Sequence, residues 1–171
     1  NGAAICTNGG KLTVEDCLFT GNAADSSAYA TIRNNGATVS IKNSQIVNNS
    51  SAGTSSGIGI HLNGGTTTLE NCTVTGNTRA NAENYNDILV YAGALTLKGE
   101  NTIDRLKFNE TMLAGVSGTV TGSIGILGAS EGTQVLSGTV ADVAASAPAF
   151  NKVLDENGTA TDLIVGADGV V

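Results

Sequence analysis

His61 and Arg33 are the side chains of this chain best suited to acid-base or anion-binding chemistry. His61 is the only histidine among 171 residues, and Arg33 lies 28 residues before it. A catalytic or metal-binding histidine needs a partner, usually a carboxylate or further ligands. No Asp or Glu lies one repeat away from either residue, as the repeat described below shows. We therefore interpret both side chains as solvated surface residues.

The acidic residues do not form the clusters that polysaccharide-active enzymes use. Lyases need several carboxylates for Ca²⁺ and a basic residue for proton abstraction, and hydrolases need paired carboxylates. Glu15 and Asp16 are divided between a strand and a corner, and Asp155 and Glu156 fall in a predicted turn. We predict no catalytic, cofactor-binding or metal-binding residues, and so a protein that is not an enzyme.

Two tyrosines offer a different chemistry. Tyr29 and Tyr85 stand at equivalent positions two repeats apart, with Gly57 between them. Stacked strands would separate their rings by about 9.6 Å, twice the ~4.8 Å strand spacing, so the pair could hold alternate sugar units. The alternative is that both rings only cover a corner of the fold. With Arg33 and His61, they form the candidate platform for a ligand.

These residues are positioned by a pattern that returns every 27 or 28 residues. A fixed period of this size is typical of stacked repeats. Aliphatic residues recur at two positions of each repeat, and residues that tolerate a left-handed backbone recur at a third. The first set is Ile5, Ile32, Ile60 and Ile88; the second is Val14, Ile41, Leu69 and Leu97; the third is Asp16, Asn43, Asn71 and Gly99.

Each repeat holds three short alternating runs joined by turns, which predicts a right-handed, single-stranded parallel β-helix with three sheets. We expect about five or six rungs over residues 1–140, with residues 141–171 as a C-terminal cap or exit segment. That segment should contain a hairpin on an Asn-Gly turn, pairing Val153–Leu154 with Leu163–Val165. The variable stretches Ala23–Ala28, Ser50–Ser56 and Thr78–Asn84 are interpreted as polar loops.

Polar residues also fall into rows along the predicted axis. Glu15, Lys42, Glu70 and Lys98 should share an outward row of alternating sign, which favours this strand register. Asn22, Asn49 and Asn77 should form an amide ladder. Cys17 and Cys72 should lie two rungs apart, too far for a disulfide, and therefore be free thiols.

Composition limits the partners. A net charge of −7 with 4% aromatic residues argues against nucleic acid and anionic membranes, and no apolar run is long enough to insert into a membrane. The chain begins inside a repeat, so we expect a piece of a longer protein. The unpaired strands of its first rung should then favour edge-to-edge self-association.

Residues 10–22 and 68–77 resemble rungs of bacterial right-handed β-helix proteins, which follow the pattern L-T-I-x-N-C-x-F-x-x-N. Residues 85–91, 95–99 and 122–125 are similar to the closing rungs of large surface proteins of gut Firmicutes. The resemblance implies an extracellular or cell-surface segment of a larger exported protein, acting as a stalk or adhesin. Its partners would be a glycan or a host surface protein, bound weakly. The alternative is a fragment of a polysaccharide lyase or glycoside hydrolase, because the fold also carries enzymes.

Overall fold

A computed structural model describes residues 2–25, 30–52, 57–79, 86–109 and 112–171. The chain forms a parallel β-solenoid of about five turns, which confirms the predicted fold class. The strands are β1 (Gly2–Thr7), β2 (Lys11–Glu15), β3 (Leu18–Thr20), β4 (Ala23–Ala24), β5 (Ala30–Asn34), β6 (Thr38–Lys42), β7 (Gln45–Val47), β8 (Ser50–Ser51), β9 (Gly57–Glu70), β10 (Thr73–Thr75), β11 (Thr78–Arg79), β12 (Asn86–Phe108), β13 (Ala114–Leu127), β14 (Leu136–Ser137) and β15 (Lys152–Leu154). The helices are α1 (Val140–Ser146) and a 3-10 helix (Ala147–Ala149).

Three columns of parallel strands run along the axis. The first column stacks β1, β5 and the first parts of β9 and β12. The second stacks β2, β6, the later part of β9, the middle of β12, the start of β13 and β14. The third stacks β3, β7, β10, the end of β12, the end of β13 and β15. A short fourth ladder joins β4, β8 and β11, so the stretches interpreted as loops each begin with a two-residue strand.

The aliphatic rows predicted from the period form the core. Ile32, Ile60 and Ile88 are paired in register and almost fully buried. Ile5 pairs with Ile32 but is only half-buried, because it belongs to the first turn. The second row is also in register, from Val14 through Ile41, Leu69 and Leu97. Burying these rows supplies the main apolar contribution to folding.

The corner after the second column has the backbone that its residue types indicated. Asp16, Asn43, Asn71 and Gly99 have φ values of 52, 46, 55 and 62°. Asp and Asn accept this left-handed conformation more readily than other residues with a Cβ. The prediction of a sharp bend at this position is therefore confirmed in four successive turns.

The predicted polar rows are present. Glu15, Lys42, Glu70 and Lys98 are in register, and the Lys42 ammonium lies 3.2 Å from the Glu70 carboxylate. The amide ladder runs in one direction: the Asn22 side-chain NH₂ donates to Asn49 Oδ1 at 2.8 Å, and the Asn49 NH₂ donates to Asn77 Oδ1 at 2.8 Å. The three cysteines are free thiols, as predicted for Cys17 and Cys72.

Between β14 and β15 helices interrupt the strand pattern. Helix α1 begins at Val140 after the N-cap Thr139, whose hydroxyl accepts from the Asp142 N–H, and the sequence did not lead us to predict it. Ser146 of this helix accepts from Val120 N and donates to Gly118 O on β13. The helix thereby satisfies backbone groups of the last long strand.

The predicted C-terminal hairpin is partly wrong. Its turn does lie at the Asn-Gly position, with Gly158 at φ 83°. The returning segment, however, pairs Leu154 with Ala160, and Leu163–Val165 is not a strand. The reason is a tight loop in which Asp155 Oδ1 accepts from the N–H groups of Asn157 and Thr159.

Two glycines at the same corner allow a test of how closely the turns are stacked. Gly10 and Gly65 have similar φ values, +77° and +71°, but a Cβ on Gly10 would meet nothing within 4 Å. A Cβ on Gly65 would lie 2.2 Å from Ala37 O. We expect Gly10→Ala to lower the free energy of unfolding by about 1–2 kcal/mol, because alanine is strained in a left-handed backbone. Gly65→Ala should cost about 2 kcal/mol more because the turns must separate.

Urea unfolding of both variants measures this difference. Equal losses of stability would contradict the close stacking of the second and third turns at this corner.

Candidate ligand-binding cleft

Arg33 and His61 lie next to each other on the outward side of the first column, as their spacing predicted. Arg33 pairs with His61, and His61 pairs with Leu89 on the following turn. Cys6 occupies the same row on the first turn. Strand pairing alone therefore brings the guanidinium-bearing and imidazole-bearing residues to neighbouring positions.

His61 is not the solvated residue that we predicted, since only 6% of its surface is exposed to solvent. Gly57 packs closely beside it: a Cβ on Gly57 would lie 3.2 Å from His61 Cβ and 2.8 Å from Leu89 Cβ. Burial, and secondarily the positive charge of Arg33, lowers the pKa of His61 to about 4. The imidazole is therefore neutral at pH 7.

Tyr91 was not predicted as a site residue, yet it completes the cleft. It lies on the same side of the strand, two residues after Leu89, and its ring remains 53% exposed. The Tyr91 and His61 ring centroids are 6.2 Å apart with the planes tilted by 54°. Arg33, His61, Asn63 and Tyr91 line an open cleft of about 270 Å³.

A second row of amides approaches the cleft from the first turn. Asn63 donates to Asn35 Oδ1 at 3.2 Å, and Asn35 donates to Asn8 Oδ1 at 3.0 Å. The row is partly exposed, whereas Asn49 and Asn77 of the other ladder are fully buried. It leads along the solenoid axis to Tyr91 and presents hydrogen-bonding groups beside an aromatic ring.

This combination can bind a ligand that has both an apolar face and hydroxyl groups. An exposed tyrosine ring stacks on apolar C–H surfaces, and guanidinium and amide groups donate to hydroxyl or ring oxygens. A neutral imidazole adds no positive charge to the cleft. Within the described ranges, no group of three or more His, Cys, Asp or Glu residues is arranged to hold a metal ion.

The other predicted platform residues, Tyr29 and Tyr85, lie outside the described residues. Of the four predicted site residues, the structure thus brings together Arg33 and His61. The signal for Tyr91 was its position 28 residues after Asn63, which placed it on the same outward row.

None of the described helices is long and apolar enough to span a membrane. Comparisons of the chain with protein-family models, curated proteins and solved structures gave no match.

Proposed function

We propose that this chain is a non-catalytic β-solenoid segment of an exported bacterial cell-surface protein that binds glycans weakly. The supporting observation is the exposed Tyr91 ring above a cleft that Arg33, His61 and Asn63 line. An open cleft with one aromatic ring favours weak binding to a sugar unit within a longer polysaccharide. The solenoid would act as the stalk or adhesin on which this cleft is displayed.

The same features favour binding over catalysis. A general acid or base acts best when its pKa lies near the working pH, and His61, with a pKa near 4, is a poor proton donor at neutral pH. A glycosidase also needs two carboxyl groups, and among the residues that the structure describes no Asp or Glu lines the cleft. The enzyme alternative would be supported if the protein released reducing or unsaturated sugars from pectin, alginate or glycosaminoglycan.

Substituting Tyr91 tests the proposal. In affinity electrophoresis through gels containing soluble polysaccharides, we expect at least one polysaccharide to retard the protein. Tyr91→Ala should weaken that retardation by about tenfold or more, because it removes the stacking surface. Tyr91→Phe should preserve most of the binding, since the ring remains.

Leu18→Ala is the matched control, because Leu18 is also an exposed apolar residue, at 62%, but lies on the third column. If Leu18→Ala and Tyr91→Ala reduce retardation equally, or if no polysaccharide retards the wild-type protein, the proposed function is wrong.

A further inference from the structure

The buried amide ladder ends on a carboxyl group. Asp87, at the start of β12, has no exposed surface. Its Oδ1 accepts from the Asn77 backbone N–H at 3.0 Å and from the Asn77 side-chain NH₂ at 2.8 Å. Its Oδ2 is buried with no hydrogen-bond partner among the described residues. The row of hydrogen bonds that begins at Asn22 therefore terminates inside the protein.

The direction of the ladder explains why an acid stands at this end. Each amide NH₂ donates toward the next turn, so the last member must offer an acceptor oxygen. The ladder cannot continue to the fourth turn because Leu106, which follows Ile103 as Asn77 follows Val74, is apolar and fully buried. An asparagine at position 87 would bury two N–H donors without an acceptor on this side, whereas a neutral carboxyl group buries only one O–H donor.

The packing around this end leaves little space for water. Gly59, one turn before Asp87, has an ordinary φ, so it is needed for space. A Cβ there would lie 2.7 Å from the Asp87 carbonyl oxygen, 2.9 Å from Val74 Cγ1 and 3.0 Å from Asn77 Nδ2. The carboxyl group is thus held in a close-packed, poorly hydrated environment.

Burying a charge in such an environment costs far more free energy than burying an unsatisfied hydroxyl group. Burial raises the pKa of Asp87 to about 7. The Asn77 hydrogen bonds oppose this effect. Among the charged groups of the described residues, Asp104 raises the pKa and Arg105 lowers it.

We propose that Asp87 is neutral in the closed ladder and that its ionisation loosens the junction between the third and fourth turns, which makes this junction a pH-sensitive switch. The affected contacts are those of Asn77 with Asp87 and, one step further, of the Asn49 N–H with Asn77 Oδ1 at 3.2 Å. This inference does not depend on glycan binding.

The sign of the effect follows from linkage. The ordinary pKa of this carboxyl is 3.8, so its contribution to stability is complete below about pH 4 and is lost as the pH rises to about 7. His61 acts in the opposite direction, because its lowered pKa removes stability as the pH falls from 6.5 toward 4. The two effects offset each other in global unfolding, so the test must report on Asp87 itself.

The experiment is a ¹³C NMR titration of the aspartate carboxyl carbons, with Asp87 identified as the resonance that Asp87→Asn removes. We expect a midpoint near pH 7, about three units above that of an exposed aspartate. In the wild type, exchange protection of the Asn77 amide, corrected for the intrinsic rate, should fall about tenfold between pH 6 and pH 8. In Asp87→Asn this change should disappear.

Asp162→Asn, which alters an exposed carboxyl group, is the control and should behave as the wild type. A midpoint near pH 4 for Asp87, or unchanged protection of Asn77 from pH 6 to pH 8, would overturn the proposal. If Asp87→Asn does not fold, the wild-type titration still decides, because the absence of any midpoint above pH 6 among the eight aspartates contradicts it.

Discussion

Replacing Ile60 with aspartate should unfold the solenoid. Ile60 is 1% exposed and lies between Ile32 and Ile88 in the first aliphatic row. The substitution removes a buried aliphatic side chain, worth about 2–5 kcal/mol, and places a carboxyl group without a partner in the core, which costs several kcal/mol more. The sum is comparable to the 5–15 kcal/mol that typically stabilises a whole domain.

Circular dichroism and urea unfolding measure the outcome. Ile164→Asp is the control, since Ile164 is 76% exposed, and it should leave both the spectrum and the unfolding midpoint nearly unchanged. Ile60→Val should cost only about 1 kcal/mol. A cooperative transition of Ile60→Asp at the wild-type midpoint would mean that the first aliphatic row does not form the core.

Asn49→Asp should destabilise the protein by about 4 kcal/mol or more, although it replaces only an NH₂ group with an oxygen. The Asn49 NH₂ lies within hydrogen-bond distance of three acceptors: Phe19 O, Val47 O and Asn77 Oδ1, at 3.0, 3.2 and 2.8 Å. An aspartate would direct a buried oxygen at all three, so each interaction would become repulsive and each acceptor would lose its donor.

The pH dependence distinguishes this mechanism from a simple loss of packing. Protonation returns one donor to the aspartate, and a destabilised buried carboxylate has a folded-state pKa well above its unfolded value. The stability of Asn49→Asp relative to the wild type should therefore recover as the pH falls from about 7 toward about 4. Asn151→Asp is the control, because Asn151 is exposed and accepts a hydrogen bond from Ser123 Oγ, which a carboxylate also does. Equal urea midpoints for the two variants at pH 7 would show that the ladder contributes nothing.

The sequence was sufficient to predict those parts of the fold that repeat. Equivalent residues occur at the same point of each period, as Ile32 and Ile60 do in the core and Asn43 and Asn71 do at the corner. Neighbouring turns must therefore satisfy the same packing and backbone requirements. A regular period therefore determines strand register, core rows and corners together. The same reasoning predicted the pairing of Arg33 with His61.

The unpredicted features arise where contacts depart from the period. His61 is buried, and Gly57 packs closely beside it; the alternation of a strand does not reveal whether another segment covers its outer side. Helix α1 is short and rich in alanine, and its clearest signal was the Thr139 cap. Asp87 could not be recognised as the end of the ladder, because it lies only ten residues after Asn77 instead of one period.

The alternating charges impose a rule on how the length of this solenoid can change. If residues 32–59 were removed, Ile60 would replace Ile32 opposite Ile5, and the aliphatic rows would remain continuous. The charged row would not, because Glu15 would then face Glu70 in place of Lys42. Like charges placed directly opposite each other on a sheet are destabilising.

Removing two turns instead would place Glu15 opposite Lys98 and preserve the alternation. Residue types also alternate at the start of the third column, where Ser44 lies between Cys17 and Cys72. The Ser44 hydroxyl accepts from the Cys17 N–H. The structural period of this protein is one turn, but the period of its charged row is two. A duplication or deletion of paired turns would therefore be tolerated better than that of a single turn.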